Sequence, residues 1–193
     1  MIKISYAKEN EKTGLLRLGI VRGEESFAYT VDRALYDRLG RPVRGDVINE
    51  NDLALAAESD RVLRAKRAAL SLLSYADNNE RGLYLKLRRR GFDSETAKDT
   101  VDEMVSRGYV NEEKQLERIL CAEANVKLRG PKKILPLLVS KGYPLELVRR
   151  VLSRLCDAGE IDFESNAERL VEKKMPDGCD FEQRRVLLYK SGF

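Results

Sequence analysis

The sequence has no histidine and no tryptophan, only five prolines and three cysteines, and no apolar run near the roughly 18 residues that mark a membrane span. Missing histidine removes the commonest general base, the usual zinc ligand and every histidine-dependent triad. Cys121, Cys156 and Cys179 are odd in number and too widely spaced for a zinc knuckle or a redox pair, so they read as reduced thiols. The opening residues, MIKISYAKENEK, carry no apolar signal segment. There is no Gly-rich phosphate loop either, and the best carboxylate group, Asp99, Asp102 and Glu103, reads as a solvated helix face. These absences predict a cytoplasmic protein that is not an enzyme and needs no cofactor or metal.

Charge is abundant. Of 193 residues, 35% are charged, and the net charge of +4 is unevenly spread. Residues 1–60 hold 9 basic and 11 acidic side chains against 27 and 21 in residues 61–193, so the basic excess lies in the second part. Within it, residues 124–154 carry Lys127, Arg129, Lys132, Lys133, Lys141, Arg149, Arg150 and Arg154 against Glu146 alone. A run that dense calls for an anionic partner. Arg88, Arg89 and Arg90 form a second candidate, although adjacent helical residues point in different directions and only one or two can share a surface. Base stacking has thin support, because Tyr84, Phe92, Tyr109 and Tyr143 mark turns where packing is the simpler use.

The chain repeats itself. Gly91-Phe92, Glu95, Gly108 and Val110 are answered 51 positions later by Gly142-Tyr143, Glu146, Gly159 and Ile161. Between the glycines, Ala97, Val101, Met104 and Val105 correspond to Val148, Leu152, Leu155 and Cys156, a spacing of i, i+4, i+7, i+8 that defines one helix face. Ser94 is the expected N-cap of the first copy and Pro144 the expected first helical residue of the second. LLYKSGF at 187–193 parallels LLVSKGY at 137–143, offset by 50, as part of a third unit interrupted at Pro176-Asp177-Gly178.

The fold expected is mainly α: tandem three-helix repeats stacked into an elongated curved array, preceded by a small α+β unit. Residues 1–50 form that unit, with strands in IKISY, LLRLGIV and SFAYTV and a short helix over 31–40. The first repeat, with a leading linker helix, spans 51–110, and its helices are expected at about 82–90 and 94–107. The second spans 111–160, with helices over about 112–128, 131–141 and 144–158. An incomplete third spans 161–193, beginning with a helix over about 163–174. Pro136 should kink its helix or delay its start.

The repeats differ in charge. Lys98, Asp99 and Glu103 occupy the positions of Arg149, Arg150 and Arg154. One expectation is that the second repeat meets phosphate or an acidic partner surface; the duller one is that the two faces pair with each other between stacked repeats.

This order of features resembles the RecX family of recombinase regulators. The residues that carry the likeness are Leu83, Leu87 and Gly91-Phe92, the Gly-Tyr-Val ending at Val110, and KLRGPKKILPLLVSKGY at 127–143 with its Lys133-Ile134 pair. LYDRLGRPV at 35–43 and the Ala-rich stretch 65–73 also fit, so the likeness runs from about residue 27 onward. Departures stand at Ala76, Asn79 and Gly82, and at Asn111-Glu112-Glu113. The resemblance implies a monomeric negative regulator of the RecA recombinase. It would bind the RecA–single-stranded DNA filament in its groove, contact duplex DNA weakly, and limit filament extension and ATPase or coprotease activity. The alternative is a stand-alone helix-turn-helix binder of DNA or RNA with no recombinase partner.

Overall fold

A computed structural model describes residues 1–176 and 178–193. Asp177, part of the expected third-unit break, lies outside the described residues. Two compact units divide the chain: residues 1–74 with 86–103, and residues 75–85 with 104–193.

The first unit opens with strands β1 (Ile2–Asn10), β2 (Leu15–Arg22) and β3 (Glu25–Val31), followed by helix α1 (Arg33–Arg38), a two-residue strand β4 (Val47–Ile48) and the long helix α2 (Glu50–Tyr75). The sheet order is β3-β2-β1-β4, every pairing antiparallel. Alternation explains it: Leu16, Leu18 and Ile20 point to one face and are buried with Ile2, Ile4, Val31 and Ile48, closed over by Leu53 and Ala56 of α2. A bulge between Ile4 and Tyr6 shifts the register of β1. The expected α+β unit is present, with β4 added; two residues are too few to register as alternation.

Helices α3 (Glu80–Arg89) and α4 (Ser94–Ser106) follow, then α5 (Glu112–Cys121), which widens into a π-helical turn over Ala122–Val126. Beyond it come α6 (Pro131–Ser140), α7 (Leu145–Asp157), α8 (Phe163–Lys174) and α9 (Phe181–Ser191). The repeated apolar pattern becomes burial. Ala97, Val101 and Met104 are buried in the first copy and Val148 and Leu155 in the second, whereas Val105, Leu152 and Cys156 are half-buried; Leu83, Leu87, Ile134 and Leu138 are buried as well.

Several local expectations need correction. Asp93, not Ser94, caps α4: its carboxylate accepts the Thr96 N–H and hydroxyl, both at 2.8 Å, and its carbonyl accepts the Ala97 N–H at 3.0 Å. Those bonds hold the Asp93 carboxyl below its ordinary range. Pro144 is the N-cap of α7 rather than its first helical residue, with ψ at 132°. Helix α6 neither starts late nor stops at Pro136. That residue is exposed, as is Lys132, whose carbonyl the missing N–H would have met, so water can serve the orphaned oxygen. The helix expected over 112–128 is α only as far as Cys121.

The core of the second unit gathers Leu116, Leu120 and Ala124 with Ile134, Leu138, Tyr143, Val148, Val151, Leu155 and Ile161. Each large aliphatic side chain there is worth about 1.5–3 kcal/mol in burial. A polar network crosses its margin. Gln115 Nε2 donates to the Asn78 carbonyl at 3.1 Å and its Oε1 accepts the Tyr143 hydroxyl at 3.0 Å, while Asn79 Nδ2 donates to the Lys141 carbonyl at 3.0 Å. Asn79 also caps α3 through the Gly82 N–H at 2.8 Å, which ties the start of that helix to the end of α6.

Candidate nucleic-acid interface

The basic window of the second unit starts where the π turn ends. One extra residue per turn carries the chain past α-helical register, and Leu128 follows in the left-handed region at φ 52°. This places Glu123, only 3% exposed, beneath Lys127 and Arg129. Lys127 Nζ lies 2.7 Å from Glu123 Oε1 and Arg129 Nη1 lies 2.6 Å from Oε2, while the Arg129 N–H bonds the Glu123 carbonyl at 3.1 Å. Burial pushes the Glu123 carboxyl up, but the Lys127 hydrogen bond and the two cations outweigh it and hold the group below its usual range. Both cations keep about half of their side chains in solvent.

Gly130 caps α6 without a side chain, and the C-terminal end of α9 fills the space. The Gly130 N–H donates to the Ser191 carbonyl at 2.9 Å and the Lys132 N–H to the Gly192 carbonyl at 3.1 Å. A β-carbon at Gly130 would overlap the Gly192 carbonyl. The first-turn amides that could have cradled an anion are therefore spent on main chain, and the α9 carbonyl end sits on the positive end of α6. Lys132 turns back to donate to the Phe193 oxygen at 3.0 Å, and Lys133 is exposed. Lys141, at the far end of α6, stands about 13 Å along the axis from Lys132 at 1.5 Å rise per residue.

The α7 arginines meet carboxylates of their own repeat. Arg150 lies 2.5 Å from Glu113, Arg154 pairs with Glu117, and Arg149 lies 3.3 Å from Glu146. On α4, Glu103 pairs with Lys66 of α2 at 2.7 Å. Arg150 and Arg154 thus find their partners on α5, Arg149 finds one on α7 itself, and Glu103 finds one on α2. Three carboxylates from outside the window, Glu113, Glu117 and Glu123, engage four of its eight bases. The spacing held a signal: Glu113 and Glu117 stand four apart, as do Arg150 and Arg154, so two helices present matching ladders. Exposed pairs of this kind are worth under about 1 kcal/mol, so a phosphate can displace the carboxylates at little cost.

Arg88 and Arg90 are engaged locally, donating to the carbonyls of Phe92 at 2.8 Å and Ala68 at 3.2 Å, which leaves Arg89 exposed and without an ion pair among the described residues. Asp99 and Glu103 line a cleft of about 290 Å³ with Glu58, Arg61, Lys66 and Glu95, yet no group able to hold a metal occurs among the described residues. Cys121 and Cys156 pack against the second core, and burial pushes both thiols up.

The family model for the first three-helix domain of RecX matches residues 65–104. A regulatory protein RecX of Clostridioides difficile is 29% identical over 131 residues, 68% of this chain, and one of Clostridium tetani is 24% identical over 188 residues, 97% of this chain and 82% of its own length. The crystal structure of a regulatory protein RecX superposes with a TM-score of 0.74 at 18% identity, covering 100% of this chain and 95% of that one. Over most of its length this chain is similar to RecX regulatory proteins, and residues 65–104 match the first three-helix domain of RecX. The crystal structure of RecX from Lactobacillus salivarius shares the fold at a TM-score of 0.57 over 69% of this chain and 89% of that one, at 20% identity. The chain spans 60% of the Clostridioides RecX and 51% of a Listeria monocytogenes regulatory protein RecX that is 22% identical over 139 residues. The RecX domain match contains Arg88–Arg90 and ends before the 124–154 window. No helix among the described residues is long and apolar enough to cross a membrane.

Proposed function

We propose that this RecX-like protein is a monomeric negative regulator of the RecA recombinase that binds the RecA–single-stranded DNA filament, in its helical groove, and limits filament extension and recombinase, ATPase and coprotease activity. The observation that carries the reading is the ordered basic segment from Lys127 to Arg154 in a chain similar to RecX regulatory proteins. Glu123 holds Lys127 and Arg129 in place, Lys132 donates to the Phe193 oxygen, and Lys133 and Lys141 have no ion-pair partner among the described residues. Fixed cations lose less side-chain freedom on meeting a phosphate or an acidic protein surface. Arg149, Arg150 and Arg154 extend the same contact once their weak pairs open, and Arg89, with Arg88 and Arg90 beside it, offers a second contact.

The deciding experiment follows ATP hydrolysis by the cognate recombinase on single-stranded DNA with this protein added below one copy per recombinase subunit, at several salt concentrations. A fall at those ratios supports a filament-directed regulator. Unchanged hydrolysis together with duplex binding as tight as filament binding would overturn it in favour of a stand-alone helix-turn-helix binder.

A further inference from the structure

The N-terminal sheet, the acidic part of the chain by count, carries an unbalanced group of cations on its outer face. Lys8 of β1 and Arg17 of β2 are direct cross-strand partners, and Arg17 pairs in turn with Thr30 of β3. Like charges directly opposite each other on antiparallel strands are destabilising. Here the repulsion is compounded rather than relieved. Arg67 of α2 joins them around a cleft of about 330 Å³, also lined by Thr13 and Thr30, and none of the three cations has an ion-pair partner among the described residues. The single carboxylate in the lining, Glu9, is engaged by Arg33 at 3.0 Å.

The arrangement is anchored. The Thr30 N–H donates to Asp60 of α2 at 2.9 Å, and Arg67 follows seven residues later, on the same face of that helix. Beside the cations lies an aromatic ring. Tyr6, cross-strand partner of Gly19, lies over that glycine, where a β-carbon would collide with the ring, and it remains 41% exposed. Tyr6 and Lys8 are two residues apart on β1, so ring and cations share one face.

We propose that this face binds single-stranded nucleic acid, the phosphate held by Lys8, Arg17 and Arg67 and a base stacked on Tyr6. An open, cation-lined cleft with hydroxyls and a neighbouring aromatic platform matches the chemistry of a sugar-phosphate backbone carrying an unpaired base. A bound phosphate also removes the Lys8–Arg17 repulsion. The proposal rests on the regulator reading only in taking single-stranded DNA as the polymer.

The test measures anisotropy of a labelled oligodeoxythymidine with the full chain, without recombinase, over a range of potassium chloride. Replacing Lys8, Arg17 and Arg67 together by Ala should weaken binding and flatten the log–log salt slope by about 0.7, the value for one lost phosphate contact. The variant should melt no lower than wild type, since it removes a repulsion. A control with Arg38, Arg44 and Lys98 changed to Ala removes equal charge and should keep the slope. Tyr6→Leu should cost about ten-fold in affinity with the slope unchanged. Equal slopes for triple variant and control, or a wild type with no salt-dependent affinity, overturn the site. Recombinase ATPase measured on the same proteins reads the regulator proposal separately, since wild type can inhibit without touching DNA here.

Discussion

Gly130 lies against Gly192 with main chain on main chain, leaving no room for a side chain at the first and two amide-to-carbonyl bonds across the joint. Gly130→Ala must push α9 off the start of α6. We expect a stability loss of about 2 kcal/mol, in the range for overpacking, and faster hydrogen exchange at the Gly130 and Lys132 amides. Unchanged exchange there would mean that the joint is not closed in solution.

Glu123 is the buried end of two ion pairs. Glu123→Gln should cost about 2 kcal/mol, less than a fully buried pair because both cations keep solvent contact. Its pH dependence has a definite sign. A carboxyl held below its unfolded value binds fewer protons in the native state, so its contribution is complete above the ordinary glutamate value of 4.5 and is lost as pH falls through the lower native value. Denaturation midpoints from pH 6 downward should therefore converge for wild type and Glu123→Gln; a gap that persisted into acid would refute the assignment.

The α5–α7 ladder separates a structural role from a binding role. Arg150→Glu places a carboxylate opposite Glu113, and adding Glu113→Arg restores attraction with the charges exchanged. Stability should fall by less than about 1 kcal/mol in the single variant and recover in the double one. Filament inhibition should stay low in both, because the partner reads the sign of charge on α7. Recovery of inhibition with stability would make Arg150 a purely internal contact.

Tyr143→Phe leaves Gln115 Oε1 without its donor inside the second unit. A loss of about 1 kcal/mol is expected, and a chemical-denaturation midpoint checks it. Filament inhibition at saturating protein should be unaffected, since the network lies beneath the surface.

What the sequence made legible was periodic. Leu83 and Leu87, or Ile134 and Leu138, recur at helical spacing because each faces a core, and the three long strands alternate for the same reason. The caps were missed by one residue, at Asp93 and Pro144, because several neighbours there can serve. Charge was harder. The dense run from Lys127 to Arg154 was visible, but its partners Glu113, Glu117 and Glu123 stand outside it and meet it only through folding. The outer face of the sheet was missed altogether, since Lys8, Arg17 and Arg67 are scattered in sequence and joined only by strand register and helix docking.

The two internal offsets, 51 and 50, differ by one residue, and the structure locates where that residue went. The caps Asn111 and Asp162 are still 51 apart, whereas the turn glycines Gly142 and Gly192 are 50 apart. The additional residue thus falls between the start of α5 and the end of α6, the stretch that contains the π turn at Ala122–Val126. A wide turn is how a helix absorbs a single-codon insertion without breaking. The second repeat is thus one residue longer than the third between these marks, within the same stretch where the π turn brings Glu123 under Lys127 and Arg129.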